Sequence, residues 1–223
     1  LIVNKLPAKM KPVLSIVLWV VIVYFGYQIY SSIMTPINFN KVKKQRYALV
    51  IENLKTIRDA ELAYASVNRK FTDKFSDLVN FIETDSFAIT EVKNIVVTEQ
   101  RGRITIDVEK RVVDTVGFEM VKNSFEGRDY KGMMNVPGTD AKFDLKTGSV
   151  EKVQGVMASV FEAKVDKAIV LEGMNKDLIR QEKEALGGVN VPGEYIAVGS
   201  LEDVNSNGNW PPFYDGSKEE SEN

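Results

Sequence analysis

Residues Val13 to Phe25 read VLSIVLWVVIVYF, and past a Thr35-Pro36 step the chain continues RYALVIENLKTIRDAELAYASV from Arg46 to Val67. The first run carries no charge, and uncharged residues continue to Met34. A helix needs about 20 apolar residues to cross the hydrocarbon core of a bilayer, and 13–34 supplies that length. Ten of the residues from Val13 to Phe25 are Val, Leu, Ile or Phe, and each favours insertion by about 0.3 to 0.6 kcal/mol. Together they make insertion favourable by roughly 3 to 6 kcal/mol. Tyr24, Tyr27 and Tyr30 recur at steps of three, on one helix face, as an aromatic belt or a packing stripe. Cleavage as a signal peptide is the competing reading, but the exit side offers only Ser31 and Ser32 of the small residues that cleavage needs.

Pro36 disfavours helix in the residue before it and suits the first turn of a new one. The spacing therefore predicts two helices, an anchor over 13–34 and an amphipathic helix over 37–68. Tyr47, Val50, Leu54, Ile57, Ala60, Tyr64 and Val67 recur at steps of three and four, so the second helix carries one continuous apolar stripe. Tyr47, Val50, Leu54, Ile57 and Tyr64 are the candidate interaction residues of that stripe. Lys41, Lys43, Lys44 and Arg46 read as a solvated face, with anionic lipid headgroups as the alternative contact. Phe75, Leu78, Val79 and Ile82 predict a short helix over about 74–83.

The run Asn53-Leu54-Lys55-x-Ile57-Arg58-x-Ala60-x-x-Ala63-Tyr64, then Asn68, Phe71 and Phe75-Ser76-Asp77-Leu78, resembles the exposed half of the long helix in type IV pilins and type II secretion pseudopilins. The likeness spans about residues 13 to 82 and implies a membrane-held assembly subunit. Prepilins also carry a Gly-Phe type processing site followed by a Glu, and nothing from Lys11 to Phe25 matches it. Along its whole length the chain is also similar to single-pass envelope proteins of Bacteroidota-type bacteria, a likeness that implies no activity.

The full sequence of 223 residues has room for the anchor and one further domain of ordinary size. Its net charge of -2 makes no case for nucleic acid. With no Cys and no His, it lacks thiol nucleophiles, thiolate metal sites, the usual general base and the Ser/His/Asp triad. Residues 1–12 read as a cytoplasmic lead-in, with translation expected to start at Met10. Basic residues flank both ends of the anchor, so the positive-inside count does not set orientation. A short N-terminal tail stays in the cytoplasm while a large domain is exported regardless of charge. The expected location is thus the inner membrane, single-pass, with the C-terminal domain in the periplasm or outside the cell.

From Phe87 onward the pattern changes to short β-rich runs at Ile95–Val97, Ile104–Val108 and Val112–Phe118. Residues 143–150 read as a hairpin turning at Thr147-Gly148, and Val160 to Val165 as a strand. Asn175 caps a helix faced by Leu178, Ile179 and Leu186 and stopped by Gly187-Gly188, and Tyr195 to Val198 form a last strand. The fold class is α+β, with an N-terminal transmembrane helix and a long amphipathic helix packed on an antiparallel sheet. The α+β domain covers 69–214, and 215–223 form an acidic tail expected to be disordered.

Lys146-Thr147-Gly148 and Ser149-x-x-Lys152 match penicillin-recognising motifs in letters only, because that chemistry needs the Ser well upstream at a helix start. Asp203, Asn205 and Asn207, in the run Asp203-Val204-Asn205-Ser206-Asn207-Gly208, match the opening of a calcium loop. Tyr214 stands where the bidentate Glu belongs, and Asx residues are ordinary turn formers. Major pseudopilins resemble this region in holding calcium near an Asn-Trp pair, here Asn209-Trp210. No cofactor is expected apart from this candidate calcium. The expected function is non-enzymatic: a structural or assembly subunit of a pilin-like or secretion machine. Its partners are membrane lipid and other envelope subunits or further copies of itself. A tethered ligand-binding or sensing module is the alternative.

Overall fold

The computed structural model describes residues 10–101, 104–152 and 155–215, so the expected lead-in before Met10 and the expected acidic tail after Asp215 lie outside the described residues. Helix α1 runs unbroken from Met10 to Asn68 over 59 residues, with Pro36 inside it. The predicted break at Thr35-Pro36 is therefore corrected. Proline removes one backbone donor and crowds the preceding turn. Here that local loss lies between two long helical runs that continue on either side of it.

The two halves of α1 differ in surroundings. Its most apolar 18-residue window has a mean hydropathy of 1.7 and none of it is buried. Side chains from Leu14 to Asn38 stay exposed or half-exposed, and burial begins at Phe39. At 1.5 Å per residue that exposed stretch is about 37 Å long. It is long and apolar enough to cross a membrane.

The C-terminal half of α1 is the spine of an α+β head. Tyr47, Val50, Ile51, Leu54, Ile57 and Ala60 are buried in one core with residues of every other layer. After α1, Arg69 takes a positive φ of 58 and turns the chain. Helix α2 (Phe75–Thr84) then packs Leu78, Phe81 and Ile82 inward, and Tyr64 meets Phe81 edge-to-face at 5.2 Å.

Strands β3 (Asp144–Glu151), β4 (Met157–Asp166) and β5 (Tyr195–Gly199) form an antiparallel sheet in the order β3-β4-β5. The predicted turn at Thr147-Gly148 is absent: β3 runs through it, pairing Thr147 with Phe161 and Gly148 with Val160. Gly148 lies under the Leu201 side chain, which a Cβ there would meet at 3.4 Å. The reversal falls later, closed by Lys152 N–H donating to Val156 O at 2.7 Å. Gly155 beside it takes φ +80.

After the single turn α3 (Lys167–Val170), helix α4 (Lys176–Lys183) begins where expected, with Asn175 accepting from the N–H groups of Asp177 and Leu178. It ends before Gly187-Gly188, and Leu186 is fully exposed rather than part of its face. The chain leaves α4 early so that residues 185–193 fold back, with Gly193 N–H donating to Ala185 O.

Strands β1 (Ser86–Arg101) and β2 (Ile104–Met120) form a separate two-stranded antiparallel ribbon. The predicted short runs are thus one pair of strands of 16 and 17 residues, about 50 Å long at ~3.3 Å per residue. No Pro interrupts it. It is rooted where Val121 N–H donates to Asp85 O and the turn Val121–Phe125 buries Val121 and Phe125.

Candidate functional site

Four of the five stripe residues, Tyr47, Val50, Leu54 and Ile57, are covered by the chain's own head, while Tyr64 is half-buried against α2. The stripe holds head to helix, and the surfaces open to other molecules lie elsewhere.

The basic residues at the head of α1 correct the solvated-face expectation. Lys43 is buried and donates to Glu182 Oε2 at 2.9 Å and to Asn190 Oδ1 at 3.0 Å. Arg46 donates to the carbonyls of Val170 and Glu172, both at 2.9 Å. Lys44 lies over the Phe213 ring at 5.5 Å, and of the four only Lys41 is free of such a described contact. Lys167 is fully buried beside this junction, donating to the carbonyls of Glu182 at 2.6 Å and Val191 at 2.7 Å. Desolvation lowers the Lys167 ammonium below its usual range. Burial first, then the charge of Glu182, pushes the Tyr47 phenol up.

The early end of α4 has its purpose here, since the returning loop brings Asn190 to Lys43 and the Val191 carbonyl to Lys167. Sequence reading missed Glu182 and Lys167. The available signal was that Glu182 follows Leu178 by four and Ile179 by three, on the same face of α4.

A second buried acid sits near the far end of α1. Glu61 is fully buried, accepts from the Thr72 N–H at 3.2 Å through Oε2, and has no partner on Oε1. Burial pushes its carboxyl up to about 8, opposed by the Thr72 hydrogen bond and assisted by the Asp73 charge.

Asp203, Asn205 and Asn207 lie in the loop after β5. Asn205 Oδ1 accepts from Asn207 N–H at 2.9 Å, and the Asn207 carbonyl accepts from Gly199 N–H at 3.1 Å. The first is the bond of an Asx turn, and the second ties the loop back to the end of β5. Among the described residues no three acidic side chains gather. Asn209 edges β5 instead: its Oδ1 accepts from Ala197 N–H at 3.0 Å and its Nδ2 donates to the Tyr195 carbonyl at 2.9 Å. Trp210 beside it is buried.

Among the described residues two extended surfaces are open and apolar. One is α1 from Leu14 to Asn38; the other is the ribbon, where Val96 is 63% and Phe118 76% exposed. Alternation puts Ile89, Glu91, Lys93, Ile95 and Val97 on one face of β1 and Ala88, Thr90, Val92, Asn94 and Val96 on the other. The β1–β2 pairing is poorly matched in places. Glu91 stands opposite Asp114, Ile95 opposite Lys110 and Val96 opposite Glu109, and like charges directly opposed are destabilising. No protein-family model, curated protein or solved structure matches this chain.

Proposed function

We propose that this chain is a membrane-anchored, non-enzymatic envelope protein that serves as a structural or assembly subunit of a pilin-like or secretion machine. The observation that carries the reading is the division of one continuous helix: its first part is apolar and uncovered, its second the buried spine of an α+β head. Uncovered apolar surface of that extent is costly in water and stable in hydrocarbon. With α1 inserted, the head sits at the membrane surface, fixed through Lys43, Arg46 and the core residues that follow them. Shared layout, rather than processing chemistry, supports the pilin-like part of the reading.

The test is membrane fractionation followed by crosslinking in intact cells. Recovery of the full chain in the membrane fraction, resistant to carbonate extraction, with crosslinked neighbours of its own or another kind, is the expected result. A carbonate-soluble chain would remove the anchor. A strictly monomeric chain both in cells and in detergent would remove the assembly role.

A further inference from the structure

The outer edge of β1 is an open hydrogen-bonding template. β1 pairs only with β2 among the described strands, so alternate residues turn their N–H and C=O groups to an unoccupied side. Natural edges are blunted by bulges, prolines or charge. β2 has such protection: its register slips at Val116, which is left unpaired between Thr115 and Gly117, and it carries Asp107, Glu109, Lys110, Arg111 and Asp114. β1 is regular, free of proline, and between Ser86 and Thr98 carries only Glu91 and Lys93 as charges.

That segment is self-complementary when read antiparallel about Val92. On one face the operation sets Glu91 against Lys93, Ile89 against Ile95 and Phe87 against Val97. On the other it sets Val92 against itself, Thr90 against Asn94 and Ala88 against Val96. Apolar meets apolar, polar meets polar, and both acid-base contacts are of opposite sign. In its own ribbon the same strand sets Ile95 against Lys110 and Glu91 against Asp114, with Glu91 offset only by Lys93 along its own strand at 2.9 Å. A two-fold axis perpendicular to the sheet at Val92 satisfies this pairing and keeps each face on its own side, as an isologous contact requires.

We propose that β1 pairs antiparallel with β1 of a second copy, with Val92 on the two-fold axis, joining two ribbons into a four-stranded sheet. This rests on the assembly reading and names its partner as another copy of this chain. A lone two-stranded ribbon of this length is marginal in water, and four strands with apolar rows on both faces are not. The heads lie at opposite ends of the joined sheet, because the Ser86 root of one ribbon falls opposite Thr98 near the tip of the other.

The chain contains no cysteine, so single cysteines in the full-length protein, oxidised in native membranes, report the register directly. Directly opposed residues in antiparallel strands have Cα atoms about 4.5 to 5.5 Å apart, within disulfide reach. Either Val92→Cys links to itself or coexpressed Glu91→Cys and Lys93→Cys link to each other, while Thr90→Cys alone does not. Lys93→Glu lowers the linked fraction roughly tenfold through two like-charge contacts, and the exchange Glu91→Lys/Lys93→Glu restores it. If Val17→Cys on α1 links while neither ribbon set does, the pairing is wrong and the assembly reading stands. If no position links, the pairing is wrong, and the neighbours found by crosslinking in cells decide the assembly reading separately. Equal linking at every position from 90 to 94, indifferent to charge reversal, would show indiscriminate edge adhesion and overturn the register.

Discussion

Two buried carboxylates carry the sharpest consequences at the level of single residues. Glu182 sits between Lys43 and Lys167, whose ammonium groups are 2.9 and 3.9 Å from its oxygens. Deleting one partner of a buried pair strands the other charge, so Glu182→Leu is expected to cost about 3 to 5 kcal/mol in urea unfolding of the micelle-bound chain. Adding Lys43→Met removes the stranded cation and recovers part of that loss, so the double variant is the more stable of the two. Glu61 reports through pH. Its folded-state carboxyl titrates near 8, above the ordinary value of 4.5, so between those values the folded state binds the extra proton and stability falls as pH rises. The slope from this group approaches about 1.4 kcal/mol per pH unit. Glu61→Gln keeps the Thr72 contact without a titrating group. Its melting temperature is expected to be flatter from pH 5 to 8 and higher than that of the parent at pH 8.

Whether an element was legible in the sequence depended on whether its cause was local. The 3.6-residue stripe is a property of α1 alone, so Tyr47, Val50, Leu54 and Ile57 could be assigned to a packed face before the packing partner was known. Asn175 could be recognised as a cap because its oxygen serves amides two and three residues away. Tertiary contacts decided the rest. Gly148 has turn-like neighbours, yet lies mid-strand because Leu201, distant in sequence, packs over it. The α4 stop moved ahead of Gly187 because Lys43, far away in sequence, needs Asn190. The basic run on α1 looked solvated because its acceptors, Glu182 and the carbonyls of Val170 and Glu172, are supplied from the other end of the chain. One pair of substitutions separates the two faces of α1. Leu54→Ala, at a site with no exposure, is expected to cost about 2 to 5 kcal/mol. Leu49→Ala, at 54% exposure on the opposite side, is expected to cost less than about 0.5 kcal/mol by the same unfolding measurement.

At the scale of the whole molecule, three parts hold their structure by different means, and hydrogen exchange should resolve them. The head has one continuous core drawing on α1, α2 and the three-stranded sheet, so amides of residues 50–60 and of β4 from Val160 to Val165 should open only with global unfolding. The exposed half of α1 has no tertiary cover and depends on its apolar surroundings, so its protection should vary with detergent or lipid while that of the head does not. The ribbon depends on neither. Among the described residues its strands are hydrogen-bonded only to each other beyond a root held by Asp85 and Val121, so in a dilute monomer it should exchange orders of magnitude faster than the head. Pairing through β1 alters that pattern asymmetrically. The second copy covers outward amides of β1 and leaves the bulged, charged edge of β2 open. Raising the concentration of the full chain in micelles should therefore slow exchange along 86–98 more than along 107–120, with the 50–60 core unchanged. Equal slowing of both strands, or none, would show that the ribbon is held by something other than the β1 edge.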